Sequence, residues 1–162
     1  MNRYVEVSDD VVEVFLNVLE ERFPSLVQLK TKLIFDTKRR VKQGKIVLAS
    51  VELASEKLKF FSKDNMAVDG YNVVITFDAK AWDLASDADK KRVMSHELRH
   101  IFIDENGNPK IIEHDVSDFR AEQKLNADDP DWSLKLATLV NDIYEQEKDM
   151  AKQSKAVKRS GQ

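Results

Sequence analysis

Residues 86–104 read SDADKKRVMSHELRHIFID, and from Ser95 the chain continues as SHELRHIFIDENGNPKIIEHD to Asp115. The opening carries helix-start signals: Ser86 or Asp87 can cap the orphan amides of a first turn, and acids follow within it. In helical register Val93, His96, Glu97, His100 and Ile101 share one stripe, while Lys91, Arg92, Ser95 and Arg99 turn toward the other side. That stripe also faces the expected core. Three ionisable groups on an inward face are costly unless something pairs them, and a dication would. The helix is expected to run about one turn past His100 to Asn106-Gly107, a tight-turn dipeptide. PKIIE then returns as a short extended stretch.

His96, His100 and His114 are the only histidines in the chain. Positions i and i+4 lie one turn apart on the same helix face, so His96 and His100 can offer both imidazoles to one zinc ion. Glu97 stands about 100° round the helix, close enough to accept a proton from a metal-activated water. Catalytic zinc takes three protein ligands and keeps one position open. The extended return after the turn spans about 16 Å, enough to bring His114 back to the helix mouth as the third. Carboxylates compete for that place: Glu113, Asp115, Asp118 and Glu122. Asp118 suits either accepting the spare N–H of a ligating imidazole or sitting at N3 of a following helix, and Asp115 reads as that helix's cap.

The rest of the chain supplies a frame. SDDVVEVFLNVLEERF (residues 8–23) reads as an amphipathic helix with Val12, Phe15, Leu16 and Leu19 at helical spacing, ending at Pro24. TKLIFDTKRRVKQGKIVLASVEL suggests two strands joined by a basic turn containing Gly44. ASEKLKFFSKD fits either a short helix or more strand, YNVVITF (71–77) a strand, and AKAWDLA one or two helical turns. A helix is expected near VSDFRAEQKLN. Another runs from about Trp132 to Lys148, with Leu134, Leu136, Leu139, Val140 and Ile143 as its stripe and a polar, basic tail beyond it that is expected to be disordered past about residue 152. The order of elements reads as α+β, with one domain over 1–150 and the tail over 151–162.

Bulk composition narrows the classes. The 162 residues are 42% hydrophobic and 34% charged, as in a globular protein, and no apolar run reaches membrane-spanning length. With no cysteine there is neither disulfide nor thiolate, so a metal must use His, Asp or Glu. No secretory signal pattern is visible, which makes the cytoplasm the expected address. Net charge is −3, yet residues 30–45 carry seven Lys/Arg against one Asp, while 104–131 carry nine acids against three bases. The basic hairpin and tail keep nucleic acid open as a partner. Overall charge and the lack of aromatic–basic interleaving weigh against it.

MSHELRHI, a turn, and then HDVSDF resemble the small proteins described as putative phage metallopeptidases, with SprT-like and WLM-type peptidases as wider relatives. The metzincin pattern fails, because Ile103 and Asn106 stand where it has Gly and His. The resemblance implies a minimal zincin-like α+β fold with a small, mostly antiparallel sheet. It implies Zn2+ held by His96, His100 and His114, with Glu97 as catalytic acid/base. The function it implies is zinc-dependent peptide hydrolysis in a monomeric protein of a bacterium or phage-infected host cell, acting on protein or peptide, conceivably one dedicated target. In such peptidases the strand before the active-site helix forms the cleft rim, which here points to YNVVITF. Tyr71, Arg99 and Arg120 are candidates to stabilise an oxyanion. The rival reading is a non-enzymatic protein- or nucleic-acid-binding module with a structural or degenerate zinc site, in which Glu97 would have no purpose.

Overall fold

A computed structural model describes residues 2–113 and 119–160. It is α+β. A four-stranded sheet in the order β1-β2-β6-β5 is built from β1 (Tyr4–Glu6), β2 (Thr31–Asp36), β5 (Ala49–Leu53) and β6 (Val73–Asp78). Two small hairpins stand apart from it: β3 (Val41–Lys42) with β4 (Lys45–Ile46), and β7 (Ile101–Ile103) with β8 (Pro109–Ile111). The helices are α1 (Asp9–Arg22), α2 (Glu56–Phe61), α3 (Ala79–Leu84), α4 (Asp87–Arg99), α5 (Arg120–Leu125) and α6 (Trp132–Ser160).

The sheet is mostly antiparallel, but its middle is not the hairpin expected from residues 31–53. β6 inserts between β2 and β5, running parallel to β2 in the register Leu33↔Ile75 and antiparallel to β5 in the register Val51↔Ile75. The basic stretch between β2 and β5 folds on itself as the β3–β4 hairpin instead. The reason lies in the side chains of VVITFD: all six residues of β6 are buried, and a run apolar on both faces belongs inside a sheet. YNVVITF is therefore the central strand and cannot be a rim. The edge next to the helices is β5. Gly70 lets the chain enter β6, with φ at +86° and a position where any Cβ would lie 1.9 Å from the Lys59 carbonyl oxygen.

The helical stripes match the expectation only in part, with Phe15, Leu19, Leu136 and Val140 turned to the core. α1 buries Val11, Val18 and Leu19, with Val14 and Phe15 partly covered, whereas Val12 and Leu16 face solvent. In α6 the core contacts are Trp132, Leu136 and Val140, while Leu134 and Leu139 are exposed. α6 also runs on to Ser160, well past Lys148, so the described part of the tail is helical. Its Ala, Lys and Gln are good helix formers, with no Gly or Pro before Gly161. Among the described residues no helix is long and apolar enough to cross a membrane.

α1 packs on α4 and carries one of its tethers. The Asp10 carboxylate accepts from Ser8 Oγ, from Trp82 Nε1 at 2.8 Å and from Lys90 Nζ at 3.2 Å. The Ser8 and Trp82 hydrogen bonds, then Lys90, hold its pKa down at about 2. Because the folded value is depressed, this contribution is complete above about pH 4. It is lost as pH falls from there toward 2. Urea unfolding of the wild type and Asp10→Asn should show a stability difference at neutral pH that shrinks through that interval; a difference constant from pH 7 to 2 would refute the assignment.

Candidate metal centre

α4 starts where expected: Ser86 Oγ accepts from the Asp89 amide, and Asp87 and Asp89 occupy the positive end of the helix dipole. Val93, Met94 and Leu98 are buried and fix its rotation against the core. The helix does not run a turn past His100. Arg99 is its last residue, and His100 closes it at φ −67° and ψ −19°, still right-handed, so its side chain keeps the one-turn spacing from His96. Ile101 begins β7 directly. The β-branched, aromatic run IFI favours strand, and the Asn106-Gly107 turn folds it onto PKI, with Asp104 Oδ1 accepting from the amides of Asn106 and Asn108.

This early exit places the second histidine. The amide of Ile112 donates to the His100 carbonyl at 2.7 Å, and His100 Nδ1 lies 2.6 Å from the Ile112 carbonyl oxygen. A carbonyl only accepts, so Nδ1 carries the proton and the imidazole lone pair sits on Nε2. His96 and His100 stack edge to face with ring centroids 5.1 Å apart. The ligand-capable atoms of His96, Glu97 and His100 all lie within 4.8 Å of one another. Glu97 is 6% exposed and His100 9%. Phe119, ahead of α5, covers the pair with its ring 5.5 Å from His96 and 4.8 Å from His100. Phe119 belongs to no ligand motif, and its one signal in the sequence is that of an isolated aromatic in an acidic stretch.

The expected polar side of α4 is wrong at one position. Ser95 is completely buried, and its hydroxyl accepts from Arg22 Nη1 at 2.9 Å and donates to Glu122 Oε1 at 2.8 Å. The same Glu122 oxygen takes Arg99 Nε at 3.0 Å and Nη2 at 2.9 Å. Glu122, weighed as a third ligand, is thus turned to Ser95 and Arg99 and stands outside the His96–Glu97–His100 group. Arg99, named for an oxyanion, is engaged here too. Tyr71 donates its hydroxyl to Asp64, and burial and that bond push its pKa up to about 12. Arg120 is exposed at the start of α5. His114, Asp115 and Asp118 lie outside the described residues, and Glu113 is exposed just before them. Phe119 takes the N-cap position of α5.

A cavity of about 230 Å³ opens beside His96 and Glu97. Its opposite wall is the segment Ile46–Ala49 leading into β5, and Val93, Trp132 and Ser133 close its ends. The cleft is bounded by the edge strand and by the first turn of α6, two elements the sequence reading had not brought to the site. Two imidazoles, one with its tautomer set by a backbone carbonyl, and a carboxylate beside a cleft make a donor set suited to a divalent metal of intermediate softness.

The chain matches no curated protein and no solved structure. A family model described as putative phage metallopeptidase matches residues 3–148, which includes every element from β1 through most of α6. With so much of its length covered, the chain belongs to the putative phage metallopeptidase family.

Proposed function

We propose that the chain is a zinc-dependent peptidase, with His96 and His100 as ligands through Nε2, His114 as the third ligand, and Glu97 as the proton-transferring carboxylate. The observation that carries this reading is the clustering of His96, Glu97 and His100, the first two lining the cleft and His100 locked in a ligating tautomer by Ile112. Ile112 also supports the choice of third ligand, because it ties the chain to His100 two residues before His114. Bound zinc would lower the pKa of a coordinated water toward 7 and polarise the scissile carbonyl.

The remaining work falls to the chain. Glu97 takes the proton released as the peptide carbonyl is attacked and returns it to the leaving amine. The outer edge of β5 pairs with no strand among the described residues, so an extended substrate can add to it and lie along the cleft.

The deciding experiment is elemental analysis of protein purified without added metal, alongside His100→Ala and His114→Ala. About one zinc per wild-type chain is expected, with most of it lost in each variant. A wild type that takes up no metal on zinc titration would eliminate the proposal. Full retention in His114→Ala would move the third ligand elsewhere.

A further inference from the structure

α6 extends beyond the body of the protein, and from Lys148 to Ser160 every residue is exposed. This segment holds five basic residues and one acid, Asp149. Lys148, Lys152, Lys155 and Arg159 follow one another at steps of four, three and four, which places them on a single helix face. They span about 16 Å at 1.5 Å per residue.

The same face continues toward the core. Asn141 and Glu145 precede Lys148 at the same steps, and both accept from Arg39 Nη1, at 2.9 and 2.7 Å. The fold thereby seats the β3–β4 hairpin on the line of the basic stripe, and adds the exposed Lys42 and Lys45 within it and Lys38 just before it. Glu145, the acid at the junction, has its pKa lowered by Arg39 first and then by Lys148 and Lys152, as a shared positive field requires. Two basic segments about a hundred residues apart in sequence become one surface.

We propose that this continuous basic face of α6 and the β3–β4 hairpin docks the phosphodiester backbone of duplex nucleic acid without reading its sequence. The stripe carries no aromatic or aliphatic anchor of the kind that dominates protein–protein binding. Met150 and Val157 stand roughly half a turn away from it. Two such side chains make too thin an apolar face for a helix that lies in a lipid surface. What remains is a straight row of flexible cations, and phosphates reward that through counterion release.

The test is fluorescence anisotropy of the full chain with labelled DNA and RNA duplexes of about 20 base pairs and arbitrary sequence. The four cations of the α6 stripe alone predict a loss in affinity of at least about 100-fold between 50 and 200 mM salt, and hairpin contacts steepen it. The triple variant K152Q/K155Q/R159Q should flatten the plot of log K against log salt by about 2.7, at 0.9 per contact. Its helicity should be unchanged by circular dichroism, since all three side chains are exposed. Binding of either duplex with these slopes supports the proposal. No binding at 50 mM salt, a slope unaltered in the triple variant, or equal affinity for polyglutamate or for phosphatidylserine vesicles overturns it. Glu97→Gln and metal-stripped protein should bind as the wild type does, so this surface stands or falls separately from the peptidase reading.

Discussion

Replacing Glu97 with Gln should reduce peptide turnover by about 10²–10⁴-fold while leaving the bound metal in place. Gln has the shape of Glu, and at 6% exposure beside the cleft the packing of the side chain will be kept. What disappears is the ability to take and return a proton. The prediction is sharp because the geometry admits a second role: Glu97 offers an oxygen within 4.8 Å of both histidine ligand atoms and could bind the metal itself. In that case Glu97→Gln would shed metal together with rate. Measuring zinc per chain and kcat on the same preparation separates the two. Undiminished turnover would remove Glu97 from the chemistry altogether.

The site was legible in the sequence to the extent that it is local. His-Glu-x-x-His on a helix requires nothing but helical periodicity to gather three side chains, and His96, Glu97 and His100 are gathered. The elements that face them were not legible, because they come from non-local pairing. No pattern in TKLIFD or ASVEL announces that β6 will separate them; it follows from β6 being apolar on both faces and so excluded from any edge. The cleft wall at Ile46–Ala49 is a consequence of that insertion. Ser95 reads as solvent-facing because it is small and polar and shares its side of the helix with Lys91, Arg92 and Arg99. It is buried because a distant carboxylate and a distant guanidinium satisfy it, and partners 27 and 73 residues away leave no periodic trace. The early end of α4 had a visible cause, the β-propensity of Ile101–Ile103, outweighed in the reading by helical continuity.

Removing the Glu122 carboxylate should destabilise the fold by about 2–4 kcal/mol, given that hydrogen bonds to charged groups contribute roughly 1.5–3 each. Its oxygen holds Arg99 twice and Ser95 once, and Glu122 and Ser95 are completely buried. The figure lies below a simple sum because the Arg99 side chain is 27% exposed and can regain water when its partner is lost. For a chain of this size the loss corresponds to a Tm lower by about 5–15 °C in Glu122→Ala. The damage should concentrate at α4, where Ser95 precedes His96 and Arg99 precedes the closing residue His100, while Arg22 relays the contact to α1. Zinc affinity should therefore weaken in Glu122→Ala, although Glu122 stands outside the His96–Glu97–His100 group. Arg99→Met added to Glu122→Leu should recover part of the stability, since it removes the partly covered guanidinium that Glu122 no longer pairs. At saturating zinc both variants should still hold one ion per chain. Failure to hold it would mean that Glu122 reaches the metal and that its engagement with Arg99 and Ser95 is not its principal role.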